Sequence, residues 1–202
     1  DIQDNLNNVI ASSQLSLMIF QNTITPQVSN LLAFGDSLSD MGNAKDSILN
    51  VPDVPPYWQG RFSNGPVWIE YVSAAYGLTT TVGSLTEQGD NRAFGGAQTG
   101  QGFSYLLLPN VGTQITNYLA NVQSSISNTD IVALWAGGND FLYGTANSDT
   151  IVGNMESHLR QLHQAGAKQF IIPNLPPLEK TPEILSMSQS QQTNIATEVV
   201  SS

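Results

Sequence analysis

The stretch Leu31-Leu32-Ala33-Phe34-Gly35-Asp36-Ser37-Leu38-Ser39-Asp40 joins an apolar tetrapeptide directly to a polar turn. The apolar half reads as a buried strand, and Gly-Asp-Ser is turn chemistry that can present a hydroxyl at the strand's carboxyl edge. Open α/β sheets bind their ligands at that edge. Ser37 is therefore a candidate nucleophile. Taken alone, the turn has a second explanation, a polar strand-to-helix connection whose Ser or Asp caps a helix.

Two further segments extend the pattern. Residues 131–136, Ile-Val-Ala-Leu-Trp-Ala, form a second apolar strand candidate and run into Gly137-Gly138-Asn139-Asp140. Asn91-Arg92-Ala93-Phe94-Gly95-Gly96-Ala97 carries a glycine pair. Singly, a glycine pair can serve positive φ or close packing, and Gly-Gly-Asn-Asp can be an ordinary turn. Together, in this order and with two of them at strand ends, the three segments resemble the sequence blocks of GDSL-type esterases and lipases of the SGNH hydrolase family.

The resemblance continues into Tyr57-Trp58-Gln59-Gly60-Arg61-Phe62-Ser63-Asn64-Gly65-Pro66-Val67-Trp68, Gln164-Ala165-Gly166-Ala167-Lys168, Phe170-Ile171-Ile172 and Asn174-Leu175-Pro176-Pro177-Leu178, so that it covers residues 31–182. It implies a flavodoxin-like, three-layer α/β/α fold with a mostly parallel sheet. It also implies a serine hydrolase of carboxylic esters that works through an acyl-enzyme. By position in the blocks, Ser37 corresponds to the nucleophile. Gly96, with Gly95 as the neighbouring alternative, corresponds to a backbone donor to the oxyanion, and Asn139 to a side-chain amide donor. No cofactor is implied.

One departure is central. Family members end in an Asp-x-x-His block that supplies the base and its orienting carboxylate, and no Asp-x-x-His occurs here. A serine hydroxyl needs an adjacent imidazole to take its proton and return it to the leaving alcohol. The two histidines, His158 and His163, lie in residues 150–164, where Ile151, Met155, Leu159 and Leu162 recur at helical spacing. A crossover helix there would sit on a face of the sheet. These are read as ordinary surface or helix-flank histidines. They are five apart, which puts them on divergent helical faces and disfavours metal chelation. The expectation is an SGNH domain over 31–202 that lacks its last strand and final helix, with the catalytic His and Asp supplied from outside these residues. A complementary C-terminal segment or a swapped protomer could supply them. The alternative is a non-catalytic binding or assembly module on the same scaffold.

Composition narrows the partners. With 16 acidic and 6 basic residues the net charge is -10, which opposes phosphate backbones and anionic membrane surfaces and disfavours nucleic acid. No apolar run approaches the length of a membrane span, and the apolar residues 15–20 lack the basic flank of a signal peptide. Zero cysteines remove disulfides and thiol chemistry but leave the compartment open, secretion or the periplasm included.

The remaining order reads as an N-terminal extension over 1–30 with a packed helix, helices near 67–76 and 113–122, a short segment at 78–82 and a strand near 91–94. Alternating strands and helices imply a parallel sheet covered on both faces. Asp36 is read as a structural hydrogen-bonding residue, and Asp40 and Asn43 as fixing the turn or capping a following helix. Tyr57, Trp58 and Phe62 could line an acyl or sugar pocket or pack the loop's own core. Asp130 and Asp140 offer no paired-carboxylate spacing.

Overall fold

In the computed structural model the described residues are 28–83, 89–121, 126–144 and 147–201. The helix expected within 1–30 falls mostly on 1–27, outside them. Strands β1 (Leu31–Gly35), β2 (Ile131–Trp135) and β3 (Gln169–Ile171) form one parallel sheet in the order β1-β2-β3. Leu31 pairs with Ile131 and Gly35 with Trp135, so β1 and β2 end level with each other.

Both faces of the sheet are covered, which is why β1 and β2 read as continuous apolar runs instead of alternating ones. Leu32, Phe34, Val132 and Leu134 point to one side and pack with Val111, Ile115 and Leu162. The last three come from helices α2 (Val111–Asn121) and α4 (Ser148–Gln164). Leu31, Ala33, Ile131 and Ala133 point to the other side, against Val67 and Ile69. Ile69 lies on α1 (Trp68–Ala75), and Val67 precedes it. Period-two alternation thus divides each strand between two cores, giving three layers. Further along come α3 (Gly138–Tyr143), a 3-10 turn at Leu178–Lys180, α5 (Pro182–Leu185) and α6 (Gln189–Ser201).

Local chemistry sets the helix ends. Asn147 caps α4 by accepting the Thr150 N–H at 3.0 Å, so the helix starts before residue 150. Glu70 accepts the Val67 N–H at 2.8 Å and is itself held by the Arg61 guanidinium at 2.7 Å. The stripe expected over 113–122 is seen in α2, where Ile115 is buried and Tyr118 and Leu119 pack on the core; Val122 lies outside the described residues.

The strand expected near 91–94 is reduced to bridges. Asn91 lies between Ala33 and Val82, parallel to both, on the side of β1 away from β2. Its spatial place follows the flavodoxin-like order. The segment still bonds β1, with Arg92 and Phe94 donating to the Ala33 and Gly35 carbonyls at 2.7 and 3.1 Å, but the Gly35 N–H goes to the Gln114 side chain and the ladder stops there. The chain then turns toward Gly95.

Candidate active site

The carboxyl ends of β1 and β2 carry the first and third blocks side by side. Gly35 has φ +152°, and a Cβ there would collide with the Trp135 carbonyl, so only glycine lets β1 close against β2 at its last residue. Gln114 on α2 holds both peptide groups of Gly35: its Oε1 accepts the N–H at 3.0 Å, and its Nε2 donates to the carbonyl at 2.9 Å. Sequence reasoning missed Gln114. The available signal was a polar residue on the stripe Val111, Ile115, Tyr118.

Ser37 follows at the strand end, half-buried. Neither its hydroxyl nor its backbone N–H makes a hydrogen bond among the described residues. The turn around it is pinned instead. Asp36 accepts the Leu38 N–H at 2.9 Å, and Ser39 and Asp40 donate to the Asp36 carbonyl at 3.1 and 3.0 Å. Ser39 accepts the Trp68 indole N–H at 3.0 Å, and Trp68 meets Trp135 edge to face. No helix follows the turn, so Asp40 and Asn43 fix it and cap nothing.

Asp40 joins the first block to the second. Its buried carboxylate accepts the N–H groups of Gly42 and Asn43 at 2.8 and 2.6 Å, of Ala44 at 3.2 Å, and of Gly95 at 2.8 Å. Gly95 is thereby spent as a donor. Gly96, at φ +78° in the left-handed region, leaves its N–H without a partner among the described residues. Asn139 joins the third block to the second, its amide donating to the Ala97 carbonyl at 2.9 Å. An amide nitrogen carries two hydrogens, so one remains for another acceptor. Asp140 accepts the Thr99 N–H at 3.0 Å and the Thr99 hydroxyl at 2.6 Å. Ser37, Gly96 and Asn139 are thus borne on three segments tied by Asp40–Gly95 and Asn139–Ala97.

Three buried carboxyls crowd this corner. Burial pushes Asp36 up to about 7, with the Asp140 and Asp40 charges adding to the rise and the Leu38 N–H opposing it. Burial also raises Asp40, to about 6, despite its four backbone donors. Asp140 is raised by burial against the pull of Thr99. Among the described residues, no group of three His, Asp or Glu could hold a metal ion.

The histidines require one correction. His163 is exposed at the last turn of α4, but His158 is buried and bonds the Thr99 carbonyl at 2.7 Å. Neither histidine bonds Ser37. Of the loop aromatics, Phe62 packs with Ala44, Phe94 and Leu108, while Tyr57 touches Phe62 and Trp58 lies under Arg61. Phe62 thus joins the loop's own core, while Tyr57 stays exposed.

The family model described as GDSL-like Lipase/Acylhydrolase matches residues 31–202. The chain belongs to this GDSL-like family. Among its relatives, the phosphatidylcholine-sterol acyltransferase of Aeromonas hydrophila is 32% identical over 80% of this chain and 48% of its own length. The thermolabile hemolysin of Vibrio parahaemolyticus is 32% identical over 86% of this chain and 40% of its own. The secreted effector protein SseJ of Salmonella typhimurium is 26% identical over 80% of this chain and 38% of its own. This GDSL-family chain therefore spans about half the length, or less, of these curated relatives.

Proposed function

We propose that this chain carries the nucleophile and oxyanion-binding half of a carboxylic ester hydrolase. The observation behind this reading is the division of labour within the glycine pair: Asp40 consumes the Gly95 N–H, while the Gly96 N–H stays unpaired, as do the N–H and hydroxyl of Ser37, three residues before Asp40. Gly96 is buried, and a buried backbone N–H without a partner is uncommon.

Ser37 Oγ attacks the acyl carbon and the carbonyl π electrons move to oxygen. The Ser37 and Gly96 N–H groups and the second Asn139 amide hydrogen receive that oxyanion, each such donor being worth roughly 3 kcal/mol. The base takes the Ser37 proton and returns it to the alcohol as the acyl C–O bond breaks, and water then hydrolyses the acyl-enzyme, releasing the acid and regenerating Ser37. The base is supplied from outside these 202 residues, because His158 is bonded to Thr99 and His163 stands at the far end of α4. A relative's name, phosphatidylcholine-sterol acyltransferase, favours acyl esters as the substrate class.

That placement of both histidines also favours a second reading, a binding module without hydrolysis. Intact-mass spectrometry with a fluorophosphonate probe separates the two. The hydrolase reading expects covalent labelling of the complete protein, abolished by Ser37→Ala. Labelling or ester turnover that survives Ser37→Ala would sink it, and a complete absence of labelling would favour the binding module.

A further inference from the structure

From Ala93 to Thr129 the sequence contains no Asp, Glu, Lys, Arg or His, although the chain as a whole carries a net charge of -10. Within this uncharged stretch, Phe103, Tyr105 and Leu107 are 63, 58 and 76% exposed. Three large apolar side chains thus open to water within five residues of one loop, a concentration that single exposed residues scattered over a surface do not reach.

The loop that bears them is built, not loose. Phe103 pairs antiparallel with Pro109, Ser104 donates to the Leu108 carbonyl at 2.8 Å, and Leu107 donates to the Ser104 carbonyl at 2.8 Å. Leu107 sits at φ +54°, a backbone region that bulky residues avoid. Asn or Gly would serve such a turn better. Underneath, Leu108 is buried against Ala44 and Phe94, so the loop alternates an anchored leucine with an exposed one.

The patch is continuous with the candidate site. Leu106 and Tyr105 lie against Gly96, within 2.9 and 3.4 Å of where a Cβ would stand. Tyr105 also packs on Tyr143 at 4.7 Å between ring centroids, and Tyr143 ends the helix that carries Asn139. Tyr143 also interacts with the Glu183 carboxylate, so one acidic residue adjoins the aromatic pair.

We propose that the loop from Phe103 to Leu107, with Tyr143, docks this protein on a zwitterionic lipid surface and brings the Ser37 turn to that surface. Aromatic side chains with a polar tip suit the boundary between headgroup and acyl chain, and leucine and phenylalanine suit the layer below it. Charge selects the kind of surface. A chain at -10 is repelled by anionic lipid, whereas an uncharged patch meets no such penalty at a zwitterionic one.

The test is flotation of the 202-residue chain with phosphatidylcholine vesicles, with and without admixed anionic phosphatidylglycerol. Co-flotation with pure phosphatidylcholine is expected, weakened by the anionic lipid at low salt. Phe103→Ser with Leu107→Asn should lower the partition coefficient about tenfold or more. The exposure of both side chains and asparagine's tolerance of positive φ keep this variant folded, which circular dichroism checks. Tyr71→Ser, an exposed aromatic on α1 outside the loop, should leave partitioning unchanged. Absence of vesicle binding, equal binding by the loop variant, or a concentration-dependent dimer abolished by the same substitutions would overturn the proposal. The readout does not involve Ser37, so failure to dock and failure to hydrolyse are separate results.

Discussion

The carboxyl end of β1 and the outer strand β3 belong to one sheet, but their surroundings are opposite. Every residue of β1 is buried, and the turn beyond it is fastened by Asp36, Asp40 and Gln114. Every residue of β3 is partly open, and Ile172 just past it is 45% exposed. A groove of about 350 Å³ runs beside β3, with Leu159, Phe170 and Ile172 in its wall. The difference teaches that a strand end is held rigidly where flanking elements close both sheet faces and take up the competing backbone groups. At β1 those elements are present, and the few groups left unpaired stand out for that reason.

The comparison breaks most readily at Asp40. Asp40→Ala would strand four backbone N–H groups and release Gly95, so it should cost about 3 kcal/mol in urea unfolding. A loss under about 1 kcal/mol would mean that the turn holds itself and that the contrast with β3 is overstated. Asp36 tests the same corner through pH. Its folded pKa near 7 lies above the ordinary 3.8, so the folded state holds a proton that the unfolded chain has released between those values. Stability from this group is therefore fully present at low pH and is lost as pH rises from about 4 to about 7. Unfolding at pH 5 and pH 8 should differ by on the order of 1–3 kcal/mol in favour of pH 5, and Asp36→Asn should flatten that slope. An unchanged slope would assign the dependence to Asp40 and Asp140. The smallest effect is expected at the open edge, where Ile172→Ser should cost less than about 1 kcal/mol. A cost above about 2 kcal/mol would show that something covers β3 in solution.

Much of the arrangement was readable from local chemistry. The apolar runs of β1 and β2 needed no tertiary information, because strands buried on both faces must be apolar at every position. The helical stripe of α4 was legible from Ile151, Met155, Leu159 and Leu162. The strand near 91–94 was over-read, since the sequence does not announce that the Gln114 side chain would take the Gly35 N–H, 79 residues away, out of the ladder. His158 was misjudged as a surface or flank residue for the same reason. Its partner is a backbone carbonyl, and a backbone carbonyl has no signature in sequence.

The motif order by itself determined the family, the parallel α/β class and the nomination of Ser37, Gly96 and Asn139, because turn residues at strand ends and period-two burial are local properties of the chain. Only the tertiary structure decided which of two adjacent glycines keeps a free N–H, that Asp40 ties the serine turn to the glycine turn, and that Gln114 holds the last peptide of β1. These depend on hydrogen bonds between residues 55 and 79 positions apart. Such bonds are set by how the sheet and helices pack, and residue spacing along the chain carries no record of them.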